Sequence, residues 1–178
     1  VINPTLWAGY GRLRGRFTII DKEIIMTTTD APLYGDKTLS EWDRKWEPVP
    51  NWQKDYQDDL KYRVGLYRFL ENGRILLIGV GTAEHGALAK RISDYRRPSP
   101  SGRRCHSGQY IYENRHRLQV EVMVVGDVNN EQAAITAREL KPLMIERHKP
   151  ELNVPADVIA QKIQCLKSSH IASQPSYP

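Results

Sequence analysis

Val64-Gly65-Leu66-Tyr67-Arg68-Phe69-Leu70-Glu71-Asn72-Gly73-Arg74-Ile75-Leu76-Leu77-Ile78-Gly79-Val80-Gly81 is the stretch whose reading decides the fold. Val64 to Leu70 has the β-branched and aromatic content of a strand, and Ile75 to Val80 reads as a second strand buried on both faces. Between them stands Asn72-Gly73, the dipeptide that best tolerates the two positive φ angles of a tight hairpin turn. The hairpin therefore carries Gly65-Leu66-Tyr67 on one arm and Leu77-Ile78-Gly79 on the other.

Working outward, Gly79 to Glu84 invites comparison with phosphate-binding loops. Glu84 stands where a dinucleotide fingerprint needs a small residue, and Ala87-Leu88 stand where a P-loop needs Lys-Ser/Thr, so both nucleotide readings fail. A helix is expected from near Thr82 to before Pro98, with Leu88, Ile92 and Tyr95 on its apolar stripe and Arg91 at the edge of that stripe. Pro98 to Gly102 reads as a loop. Arg103-Arg104-Cys105-His106-Ser107 then leads into a short helix from Gly108 to Asn114. Leu118, Val120, Val122 and Val124 alternate with Gln119, Glu121 and Met123, the pattern of a half-buried third strand. Asn129 with Gln132 suggests a capping box. The helix it opens has Ala133, Ala137, Leu140 and Met144 on one face, and Pro142 is expected to kink or locally break it.

Charge is unevenly spread along the 178 residues, whose net charge is +5. Residues 21–60 hold ten acids against five bases, whereas residues 90–117 hold eight bases against Asp94 and Glu113. Lys90, Arg91, Arg96, Arg97, Arg103, Arg104, Arg115 and Arg117 make up that basic segment, a concentration suited to a polyanion such as double-stranded DNA. No apolar run approaches the ~20 residues of a membrane span, and no membrane partner is expected. Cys105 and Cys165 lack the paired spacing of a zinc site, and Asp21, Lys22 and Glu23 interrupt the only early apolar stretch. A reduced, cytoplasmic protein is the expectation.

Taken in order, this ordered set resembles the GIY-YIG endonuclease family, over residues 62–154. The resemblance rests on the hairpin with Gly65-Leu66-Tyr67 and Leu77-Ile78-Gly79, on Arg91 in the helix after it, on His106 after the basic loop, and on the closing Lys149-Pro150-Glu151-Leu152-Asn153. It implies a small α/β domain in which a three-stranded sheet is flanked by helices. It also implies metal-dependent hydrolysis of DNA phosphodiester bonds. The resemblance assigns Tyr67 to the attacking water, Arg91 and His106 to the phosphate, Glu139 to Mg²⁺ or Mn²⁺, and Asn153 to bracing the closing turn. Ungapped alignment with that pattern would put Lys141 in the place given to Glu139, and Glu146 is the other carboxylate considered for the cation. Leu77 replaces the second signature tyrosine, so a DNA-binding or protein-interaction module of the same fold is the alternative.

The remaining segments read as an acidic, Trp-bearing extension over residues 1–60 and a short helix with a polar tail over 155–178. Met26 opens an ordinary polar stretch, so residues 1–25, with Arg12, Arg14 and Arg16, read either as upstream sequence or as a basic arm. Trp42 and Trp46, at i and i+4 in a short helix opened by Ser40, are expected to pack onto the domain core.

Overall fold

A computed structural model describes residues 31–82, 86–98 and 105–172. Residues 1–30, and with them Met26, lie outside the described part. So do Arg103 and Arg104 of the basic loop. Residues 32–178 form one compact unit.

The hairpin forms as its turn chemistry requires. Strands β1 (Leu33–Tyr34), β2 (Lys37–Thr38) and β3 (Glu47–Pro48) precede it, and it consists of β4 (Arg63–Glu71) and β5 (Arg74–Gly81). Asn72 and Gly73 take φ of 52° and 78°, the left-handed pair that lets Glu71 face Arg74 directly. β6 (Gln119–Asp127) pairs with β4 along its length, and all neighbours in the sheet run antiparallel in the order β3-β6-β4-β5.

The sheet thus has the three long strands read from the sequence and one more at its edge. β3 comes from the acidic extension and is only two residues long, too short to leave a period in the sequence. Val49 continues the pairing through its N–H to the Val120 carbonyl at 2.9 Å. Residues 32–60 are therefore part of the folded unit rather than an appendage to it.

Each face of the sheet has its own core. On one face Tyr67, Phe69 and Leu77 pack with Val120, Val122, Trp52 and Leu60. Helix α2 (Ala87–Arg96) covers them with Leu88, Ala89 and Ile92, and α3 (His106–Asn114) adds Tyr110 and Ile111. Leu166 completes this cluster from the last helix, Ala156–Ala172. On the other face Val64, Leu66, Ile78 and Met123 meet Ala133, Ala137, Leu140 and Met144 of the long helix Glu131–His148, with Trp42 beside them. In chain order the short helix Leu39–Asp43 is α1, the long helix α4 and the last one α5. Of the expected aromatic face, Trp42 is buried, while Trp46 lies beyond the end of α1 and is half-buried against the same cluster; Trp52 is buried on the other face.

Helix ends differ in detail from the sequence reading. α1 starts at a Thr38–Glu41 capping box instead of Ser40, because Thr38 accepts from Glu41 N–H while Glu41 reaches back to the Thr38 N–H at 2.8 Å. α2 begins five residues after Thr82, behind left-handed Gly86. α4 is capped by Asn130, one residue beyond Asn129, through its side-chain bond from Ala133 N–H at 3.2 Å. α4 also runs unbroken through Pro142. Pro142 is exposed, so its ring lies on the outer side of the helix and takes no space in the core.

Candidate active site

Tyr67 is the centre of the site and is almost wholly buried, at 5% exposure. Its cross-strand neighbour is Gly79. A β-carbon at Gly79 would overlap the Tyr67 ring, so the ring lies flat over the glycine backbone. Gly81 does a related job for α2: a β-carbon there would stand 2.9 Å from the Leu88 Cα, and its absence lets the helix start close to the strand.

Across from Tyr67 stands Tyr95, in the last turn of α2. The two hydroxyls are 3.4 Å apart and the rings are tilted at 59° with centroids 5.9 Å apart. Burial pushes the Tyr67 phenol well above its ordinary range, the neighbouring Tyr95 hydroxyl raises it further, and Arg91 only partly opposes this. Tyr95 is raised as well, mainly by burial. Both hydroxyls therefore stay protonated at neutral pH and can donate as well as accept hydrogen bonds.

Arg91 lies one turn before Tyr95 on α2, and its charge is felt by both phenols. Its Nε is buried without a hydrogen-bond partner among the described residues. A buried guanidinium N–H left unsatisfied is costly, and an anion is the partner it best accepts. Cys105, the N-cap residue of α3, also acts on both phenols, which sets that helix start beside the pair. His106 is the exposed first residue of α3, one position on.

Tyr95 is the member of this cluster that sequence reading assigned to the apolar stripe. The available signal was its i+4 spacing from Arg91 together with a hydroxyl that any buried tyrosine must place. Leu77, in the position of the second signature tyrosine, sits opposite Phe69 and is buried in the core.

The closing motif works through the backbone. Asn153 Oδ1 accepts from Ile78 N–H at 2.7 Å, and its Nδ2 donates to the Ile78 carbonyl at 2.9 Å. Leu152 N–H adds a bond to the Leu76 carbonyl at 2.7 Å. This segment therefore seals the free edge of β5 and fixes the strand that carries Gly79. Asn153 is a positioning residue.

Glu139 stands apart from the cluster. It is exposed on α4, the helix that covers the opposite face of the sheet from Tyr67 and Arg91. At 3.6 residues per turn it shares a helical row with Gln132, Thr136 and Leu143. That row faces the N-terminal segment, for Thr136 and Gln132 line one cavity with Gly35 and Lys37. The two-residue offset from Lys141 turns a side chain by about 200°, so the two positions are not interchangeable. Lys141 is half-buried on a different flank of the helix, while Glu146 is exposed and paired with Lys149.

The basic segment is less open than its composition suggests. Lys90 is bonded to Asp94 at 2.6 Å, Arg97 to Ser93 at 2.6 Å and Arg96 to the Lys54 carbonyl. Arg115 stacks on the Tyr112 ring at 4.3 Å and donates to the Tyr112 carbonyl. Arg117 lies 2.6 Å from Glu71, whose side chain is only 2% exposed. A buried carboxylate needs that charge, which commits Arg117 to the fold instead of to a DNA phosphate.

The fold is similar to that of the GIY-YIG N-terminal endonuclease domain of UvrC from Thermotoga maritima bound to its catalytic divalent cation, magnesium. The TM-score is 0.42 and the identity 19%, over 60% of this chain and 99% of that one. A point mutant of the same domain, bound to its catalytic divalent cation, is similar to the same extent. No family model and no curated protein matches the chain. Among the described residues no helix is long and apolar enough to cross a membrane.

Proposed function

We propose that this chain is a DNA endonuclease of GIY-YIG type, in which the Tyr67–Tyr95–Arg91 cluster receives a backbone phosphodiester. The single observation that carries the reading is the buried Nε of Arg91, without a hydrogen-bond partner among the described residues, beside two hydroxyls that among those residues bond only to each other. In this reading Arg91 holds a non-bridging phosphate oxygen. Its planar fork keeps its charge at every accessible pH. The phenols are too weakly acidic to act as bases at neutral pH. One hydroxyl donates to the other, and the remaining proton and lone pairs orient the attacking water against phosphorus. Water adds to phosphorus and gives up one proton to the surrounding solvent. The bond to the departing sugar oxygen breaks, and that oxygen takes up one proton from solvent as it leaves, so no proton is gained or lost overall. Lys90, Arg96, Arg97, Arg103, Arg104 and Arg115 supply the flanking backbone contacts, which makes binding salt-dependent. His106, at the exposed start of α3, contacts the same phosphate. The divalent cation expected from the resemblance would have Glu139 as its carboxylate, and the helical row of Glu139 does not fit a site at Tyr67.

A second reading, a module that binds DNA without cutting it, is favoured by Leu77 and by the position of Glu139. Incubating supercoiled plasmid with the chain in Mg²⁺, in Mn²⁺ and in a chelator separates the two. The endonuclease reading expects nicked or linear product that disappears in Tyr67→Phe and falls in Tyr95→Phe. Binding with intact plasmid under all three conditions would leave only the module.

A further inference from the structure

We infer that the Tyr67–Arg91 site takes its phosphate without a divalent cation, DNA being held there by cationic and neutral donors alone. The inference rests on reading the cluster as a phosphodiester site, and it is an inference about the donor set. A hard cation such as Mg²⁺ is bound through carboxylate and carbonyl oxygens, with water filling the remaining positions. The side chains gathered here are two phenols, a guanidinium and a thiol. None of these is a hard anionic oxygen ligand in its protonated form.

Among the described residues, carboxylates on and beside the elements that carry the cluster are already engaged. Asp94, next to Tyr95 on α2, has a side chain only 10% exposed and is bonded to Lys90 at 2.6 Å. Glu71 serves Arg117, and Glu151 lies 3.1 Å from Arg74. Glu139 is exposed on α4, which packs on the other face of the sheet. Among the described residues no group of three His, Cys, Asp or Glu side chains could hold a metal ion. What the site does offer is positive charge with an unspent N–H. That combination attracts a phosphate and repels a hydrated dication.

Two measurements on the full chain test this. The first is the affinity for a short labelled duplex, at constant ionic strength, in chelator and in millimolar Mg²⁺. The affinity is expected to agree within about twofold, with Arg91→Met weakening it by ~10-fold or more in both media. Arg91→Lys, which keeps the charge but loses the fork, should lie between the two. The second uses Mn²⁺ as a paramagnetic probe of cation binding. No stoichiometric Mn²⁺ binding is expected, and Glu139→Ala and Glu84→Ala should match the wild type; Glu84 lies in the loop outside the described residues. Stoichiometric Mn²⁺ binding lost in either variant, or duplex affinity that rises with Mg²⁺ and drops back in Glu139→Ala, would overturn the inference while leaving the phosphodiester reading intact. A chain that binds no duplex in either medium overturns both.

Discussion

The two faces of the sheet differ in how far their polar groups are satisfied. On the α4 face, charges are matched. Arg68 lies 2.5 Å from Glu121 and stacks over Trp46 at 4.4 Å. Asp43 receives His148 at 2.6 Å, Arg147 at 3.0 Å and the Trp46 indole at 3.1 Å. On the α2 face Lys90 and Arg97 are bonded too, but among the described residues Tyr67 and Tyr95 have only each other and Arg91, like Arg96, keeps a buried Nε without a hydrogen-bond partner. Most buried polar groups are satisfied inside the fold, and one that is not is a candidate for a ligand. The difference separates a wall from a site more sharply than composition does, since both faces carry arginines and aromatic rings.

The comparison can be broken most forcefully at Trp52. It belongs to the extension, is 2% exposed, packs edge-on against Phe69 and donates to the Leu118 carbonyl at 2.9 Å. Trp52→Ala should cost about 3–5 kcal/mol of stability. Chemical denaturation would measure it, and a loss within error would mean that the extension is not part of the core beneath the site.

Gly79→Ala is the next largest and acts on the site directly. Its methyl must displace the Tyr67 ring, with an expected cost of about 1–3 kcal/mol. Duplex affinity should fall along with stability. Retained affinity in a folded variant would mean that the phenol's position does not matter.

A smaller effect is expected on the α4 face. Burial tends to raise the Asp43 carboxyl, but the bonds and charges of His148, Arg147 and Trp46 prevail and hold it below its ordinary value. A carboxyl lowered on folding adds stability above its unfolded pKa of ~3.9 and loses it as pH falls through the lower folded value. Asp43→Asn should therefore flatten the acid limb of the stability profile below about pH 4 while leaving duplex binding at neutral pH unchanged. A drop in binding would show that the two faces are not independent.

The hairpin was legible because Asn72-Gly73 has one economical conformation and strand periodicity flanks it on both sides. The core face of α4 was legible for the same kind of reason: Ala133, Ala137, Leu140 and Met144 recur at the helical period. The burial of Trp42 followed from acidic surroundings that suit no phosphate, and Trp46, read with it, is half-buried. Elements defined by pairing across the chain were not legible. β3 is two residues long and exists through β6, and Arg117 looks like any loop arginine until Glu71 is found beside it. Tyr95 reads as apolar because its ring is, and only the packed helix shows where its hydroxyl points. Glu139 is the clearest case. A shift of two residues is small in an alignment but places a side chain on another flank of the helix.

The claim at the centre of this account is that Arg91 waits for a DNA phosphate. The most direct test is duplex affinity at low salt in Arg91→Met, set against Arg68→Met as the matched arginine of the other face. The account predicts a loss of ~10-fold or more for Arg91→Met, the scale of a charged hydrogen bond, and little change for Arg68→Met if the variant is folded. Equal affinities for Arg91→Met and the wild type would contradict it.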